Sequence, residues 1–204
     1  MKLGLALPWA NPQVQVPVER VRRAEQLGFD SVWTAEIYGQ DAITPLAYLA
    51  AHTERIRLGT AVIQAAARTP AATALAMATV DQLAGGGRVI LGLGLSGPQI
   101  VEGWYGQPWG RPNARLRDYV TILRKVLRRE GPVEHDGPEI ALPYRGPGSS
   151  GLGKPLKSVL HTNPDLPIYL GTGQEANVKL TAELADGWLP MGYGPETSAV
   201  YRPW

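Results

Sequence analysis

The sequence predicts an α/β protein in which a parallel β-sheet is covered by helices. Three observations carry this. Short apolar runs alternate with amphipathic stretches through most of the 204 residues, the order expected of repeated βα units. The clearest run, Val89–Gly97 (Val-Ile-Leu-Gly-Leu-Gly-Leu-Ser-Gly), opens continuously apolar rather than alternating, as a strand buried on both faces should. The unusual residues stand at the C-terminal ends of the runs: Trp9, Glu36, Gln64, Ser96, Thr172 and Met191. In a (β/α)8 barrel those ends build the active site. The same loading would serve an open doubly wound sheet.

In chain order, Leu3–Pro8 is the first strand, stopped by Pro8 before the loop Trp9–Pro12. Pro17–Leu27 is a helix with Val18, Val21, Ala24 and Leu27 on one face and Gly28 as its stop. Ser31–Glu36 is a second strand ending in an acid. Thr44-Pro45 caps and starts a helix through His52, and Ile56–Gln64 is the third strand. Thr69-Pro70 repeats the cap-and-start device ahead of the alanine-rich helix 71–84, which ends at Gly85-Gly86-Gly87. Val89–Gly97 is the fourth strand and a short helix follows near Gln99–Trp104. Past a Gly/Pro/Trp loop, Asn113 caps the basic helix 114–130, with Gly131 as its stop. The segment 132–167 breaks the rhythm: Asp136-Gly137 reads as a hairpin turn pair, and Gly146–Lys157 is a glycine-rich excursion suited to a lid or binding loop. Ile168–Gly173, Glu175–Ala185 and Asp186–Met191 are the fifth strand, a helix and the sixth strand. A proline-containing tail follows.

Composition narrows the partners. The net charge is +2 and the basic residues are scattered, which argues against nucleic acid. Cysteine is absent, excluding disulfides, thiolate catalysis and thiolate metal sites. His52, His135 and His161 show no metal spacing, so no metal is expected. No apolar run approaches the ~18 residues of a membrane span, and Met1-Lys2-Leu3-Gly4 shows no leader pattern, so a cytoplasmic protein is expected.

Gly92-x-Gly94-x-x-Gly97 matches the dinucleotide fingerprint, with Asp118 at about the required separation. Asp118 nevertheless sits inside a helical pattern rather than at a strand end, and the glycines begin inside the apolar run. The better reading is a glycine turn meeting a helix start at Ser96-Gly97-Pro98. Free N–H groups there suit an anion such as phosphate; the plain alternative is a tight turn with no ligand.

Five stretches together carry a resemblance: Leu27–Trp33 (Leu-Gly-Phe-Asp-Ser-Val-Trp), Ile56–Val62 (Ile-Arg-Leu-Gly-Thr-Ala-Val), Arg68-Thr69-Pro70, Gly85–Gly97, and Ala185-Asp186-Gly187-Trp188. In order and spacing the chain resembles the luciferase-like superfamily, in particular members that use the deazaflavin coenzyme F420. The resemblance implies a (β/α)8 barrel with an insertion at about 132–166. A full barrel of this type takes about 250 residues. Only six βα units can be counted, so it further implies one domain, 1–204, whose C-terminal strands are missing.

The resemblance also implies roles. Ala61–Val62 would be a non-prolyl cis peptide at a bulge, propping one face of the deazaflavin ring. Glu36 would contact the ring system or its ribityl chain, the reading favoured here; read by itself, it could cap a helix or pair with an arginine. Gln64 looks like a polar contact past the bulge. Ser96-Gly97 and Gly171-Thr172-Gly173-Gln174, with Ala176 opening the next helix, resemble phosphate and ribityl contacts. Two departures matter. Ile37 stands where some F420 dehydrogenases carry a histidine, and Pro98 where they carry a glutamate, so the chain does not resemble a sugar-phosphate dehydrogenase. Tyr38 is then the candidate proton donor beside Glu36, since a phenol of pKa about 10 suits donation. Trp9, Tyr38 and Trp104, with Trp109, would line a substrate pocket or a dimer surface. Family members dimerise through early helices, which makes helix 71–84 a candidate homodimer interface, although packing on its own barrel serves equally. The implied activity is hydride transfer between F420 and a small organic substrate. The alternatives are an FMN-dependent monooxygenase of the same superfamily and a non-catalytic relative.

Overall fold

The computed structural model describes residues 2–8 and 11–204. Trp9, expected to line a pocket, lies outside them. Strand β1 (Gly4–Ala6) is followed by helix α1 (Val18–Gln26), which buries Val21 and Ala24 and stops where Gly28 adopts φ +81°. Strand β2 (Ser31–Thr34) leads to α2 (Ile43–Ala50), and β3 (Arg57–Thr60) with β4 (Ile63–Gln64) leads to α3 (Pro70–Leu83). The all-buried β5 (Val89–Gly94) precedes the single turn α4 (Pro98–Val101) and the long α5 (Pro112–Arg128). A hairpin of β6 (His135–Asp136) and β7 (Ala141–Leu142) comes next. Then follow β8 (Ile168–Gly171), α6 (Glu175–Leu184), β9 (Gly187–Trp188) and the one-turn α7 (Ser198–Tyr201).

The main sheet is parallel, ordered β1-β2-β3-β5-β8-β9, with β4 also on β5. Each new position is added on the same side, so the sheet never reverses. A doubly wound sheet has a reversal point; this order is that of a barrel. The sheet also curls. Trp33 on β2 and Tyr169 on β8 stand three strand positions apart, roughly 14 Å in a flat sheet, yet their ring centroids lie 6.1 Å apart. Gly4 and Gly59 beside Trp33 leave room for its ring, since a Cβ at Gly59 would stand 2.4 Å from it. The result is a curled, incomplete (β/α) barrel wall of six strand positions, with the helices packed outside on a continuous apolar core.

Several local expectations are corrected. Asp41, not Thr44, caps α2: its Oδ1 accepts from the N–H groups of Ile43 and Thr44, both at 2.8 Å. Helix α5 starts at Pro112, so Asn113 lies inside its first turn, and it stops on Arg129 in the left-handed region (φ 53°) ahead of Gly131. The insertion hairpin turns through four residues, 137–140, rather than through an Asp-Gly pair. Asp118 has no nucleotide role to play: buried on α5, it accepts from the N–H groups of Glu139 (2.8 Å) and Ile140 (2.9 Å) and faces His135 Nε2 at 3.0 Å, which pins the hairpin to the helix. Helix α3 turns Thr73, Ala74, Met77 and Ala78 inward within this chain, leaving Leu75 and Leu83 exposed. Among the described residues no helix is long and apolar enough to cross a membrane, and no cluster of metal-ligating side chains is present.

Candidate coenzyme site at the C-terminal edge of the sheet

The third strand position is built around an interruption. Leu58 and Gly59 pair with Val89 and Ile90, and Ile63 and Gln64 pair with Leu93 and Gly94. Three residues, Thr60–Val62, therefore face two, Leu91 and Gly92, which is the one-residue excess of a β-bulge. The Ala61–Val62 peptide within it is cis. Thr60 fills the lost ladder bonds with its side chain: Oγ1 accepts from Gly92 N and donates to Gly92 O, both at 2.8 Å. Two glycines beside the bulge, Gly94 ending β5 and Gly171 of an expected phosphate turn, have a packing reason. A Cβ on Gly94 would stand 2.5 Å from Val62 Cγ2, and one on Gly171 2.9 Å from Val62 Cγ1. Val62 thus fits between two backbones that lack side chains, while Ala61 is exposed.

Beyond the bulge lies a buried polar network. Glu36 Oε1 accepts from Gln64 N (3.0 Å) and from Arg68 Nη1 (2.5 Å), and Oε2 accepts from Ala42 N (3.0 Å). Gln64 Nε2 donates to Glu36 O at 3.0 Å. Asp41 stands 3.9 Å from Arg68 Nη2. Burial works against the Arg68 cation, but the hydrogen bond and charge of Glu36 outweigh it and raise its pKa. Burial pushes the Tyr119 phenol up to about 12, so it stays a neutral hydroxyl, bonded to Arg68 O (2.9 Å) and Thr73 Oγ1 (2.7 Å). One atom of the network is left over. Gln64 Oε1 is buried and has no partner among the described residues. The amide cannot be turned round, because Glu36 O can only accept and therefore requires Nε2. A buried acceptor without a donor is costly, and a donor from outside the chain, water or ligand, would relieve it.

The other expected residues fall into place unevenly. Gly94 and Gly171 are register partners on parallel strands, so Ser96-Gly97 and Thr172-Gly173-Gln174 leave the sheet at the same edge as the bulge. Ser96 is exposed with φ 60°, and Gly97 precedes α4 in an extended conformation. Helix α4 is one turn long, so its dipole adds little. Helix α6 is longer: Gln174 at its N-cap makes no side-chain cap bond, Gly173, Gln174 and Ala176 are exposed, and Glu175 places an acid in its first turn. Thr172 is buried, its hydroxyl held by Thr181 at 2.8 Å and its carbonyl by Trp188 Nε1 at 2.9 Å. What that turn leaves exposed is Gly173 and Gln174. Tyr38 and Trp104 are 60% and 62% exposed on the surrounding loops. Reading the sequence missed Asp41 and Tyr105, and gave Arg68 no role. Arg68 was visible as a cation four residues past Gln64. Tyr105 lay in an aperiodic loop.

The family model for the luciferase-like monooxygenase matches residues 1–203. A Mycobacterium tuberculosis protein, assigned by its name to the coenzyme F420-dependent oxidoreductases, is 52% identical over the whole chain, which covers 59% of that protein. The 5,10-methylenetetrahydromethanopterin reductase of Archaeoglobus fulgidus is 33% identical over 89% of the chain and is covered to 51%. The solved coenzyme F420 dependent tetrahydromethanopterin reductase of Methanopyrus kandleri shares the fold, with TM-score 0.81 at 24% identity over 99% of this chain and 59% of its own. The chain therefore spans between half and three-fifths of the length of these relatives. A curled parallel wall, a bulged third strand position and a family match across its whole length identify the chain as a member of the luciferase-like monooxygenase family.

Proposed function

We propose that the chain holds coenzyme F420 at the C-terminal edge of its sheet, as part of an oxidoreductase that passes a hydride between that coenzyme and a small organic molecule. The observation that carries this reading is the unpartnered Gln64 Oε1, buried beside a side-chain-poor bulge. A ring coenzyme rich in N–H and O–H donors suits such an acceptor, and the names of the relatives make F420 the first choice. The deazaflavin, when bound, supplies hydride exchange at its C5.

The chain's own residues orient and shield. Gln64 Oε1 takes a hydrogen bond from the ligand. Glu36 acts from behind, holding Arg68 and the Gln64 backbone, because its own oxygens already have protein partners. Ala61 and Val62 present an apolar face, and the turns at Ser96-Gly97 and Gly173-Gln174 offer backbone N–H groups to a phosphate. Tyr38 remains the candidate proton donor at the rim. Self-association, if it uses α3, would fall on its exposed Leu75 and Leu83.

Fluorescence titration of the chain with F420 and, separately, with FMN tests the reading. F420 should bind at least about tenfold more tightly, equivalent to ~1.4 kcal/mol. Tighter binding of FMN would replace the coenzyme in this account with a flavin. Binding of neither at millimolar concentration would overturn it.

A further inference from the structure

The segment between β5 and α5 does not simply leave the sheet. After α4 it turns back on itself. Ile100 O accepts from Trp104 N (3.0 Å) and Tyr105 N (3.1 Å), Val101 O accepts from Gln107 N (3.0 Å), and Gly106 takes φ +62° to close the turn. Val101 is buried and anchors the near side. The far side is tied down by a side chain: Tyr105 donates its hydroxyl to Ile37 O at 3.1 Å. Among the described residues this is the one hydrogen bond joining residues 95–107 to the loop after β2.

The strand order shows what this bond crosses. Ile37 follows β2 and Tyr105 follows β5, and the position between them is that of β3 and β4. The Ala61–Val62 corner and Gln64 leave the sheet there. The bond therefore spans the exit of the very position that carries the candidate coenzyme site. Burial raises the Tyr105 phenol pKa, and the Glu36 charge adds to this, so the hydroxyl keeps its proton as a donor.

We propose that Tyr105 is a positioning residue that straps the β5–α4 segment across the mouth of the site and so governs how fast coenzyme enters and leaves. The proposal rests on the reading of the mouth as a coenzyme site. A single tether closing an internally rigid segment makes a cover with one release point. Losing one neutral hydrogen bond should favour the open form by about fivefold.

Stopped-flow binding of F420 to the chain and to Tyr105→Phe separates gating from a general structural role. Gating predicts association and dissociation rates that rise together, by about fivefold, with the equilibrium constant held within twofold. Hydrogen exchange should quicken in residues 98–107 of the variant and nowhere else. A weaker equilibrium constant with an unchanged association rate would overturn the proposal, as would unchanged rates. If the unmodified chain binds no F420, the coenzyme reading fails, and the exchange measurement still decides the tether: unchanged protection in 98–107 would refute it.

Discussion

Replacing Gly92 by alanine should leave little folded protein. An added Cβ would stand 1.8 Å from Thr60 O and 2.9 Å from Leu189 Cδ1. The nearer atom is backbone, held in a parallel pair on one side while β8 holds β5 on the other, so neither strand can step aside. The Thr60 hydroxyl, which bonds both the N–H and the carbonyl of Gly92, would be displaced as well. Overpacking alone costs about 1–3 kcal/mol where side chains can shift. Against backbone, and with two hydrogen bonds lost, the cost should exceed ~4 kcal/mol. That corresponds to a fall of more than roughly 8 °C in melting temperature for a chain of this size. Gly173→Ala is the control. Its Cβ would meet nothing within 4 Å and its φ lies outside the left-handed region, so thermal denaturation should change by less than about 0.5 kcal/mol. Equal behaviour of the two variants would show that the bulge is not packed as described.

This pair also shows how far the sequence could be read. The alternation of strand and helix was legible because period and punctuation are local. The third strand's importance came through the family resemblance of Gly59-Thr60-Ala61-Val62. The reason for the glycines was not legible. Gly92 and Gly94 fell inside the apolar run, and their packing against Thr60 and Val62 depends on a pairing that no local pattern states. Caps failed where a better acceptor stood nearby: Asp41, three residues ahead, took the role expected of Thr44 because its carboxylate reaches two N–H groups. Glu36 was found as a strand-end acid, and the structure pairs it with Arg68. Its hold on three protein donors was invisible, since Ala42, Gln64 and Arg68 come together only when the loops after β2 and β4 fold side by side.

Glu36→Ala should be the second most damaging change at the site. It strands the Arg68 guanidinium and leaves the N–H groups of Ala42 and Gln64 without their acceptor. Removing one partner of a buried ion pair costs about 3–5 kcal/mol. The Arg68 side chain is 24% exposed against 4% for Glu36, so water recovers part of the loss and the lower end, ~3 kcal/mol, applies. A melting temperature lower by roughly 6–12 °C follows. The double variant Glu36→Ala with Arg68→Ala removes the stranded charge and should be no less stable than Glu36→Ala alone. If instead the two losses simply add, the pair is not coupled and the network does not hold the mouth together.

The most direct measurement is a crystal structure of the chain soaked with F420. Density for the coenzyme is expected at the C-terminal edge of the sheet, with a donor of the ligand within hydrogen-bond distance of Gln64 Oε1 and its phosphate against the turn at Gly173-Gln174 or Ser96-Gly97. Coenzyme bound on another surface, with Gln64 Oε1 still unpartnered, would contradict that expectation.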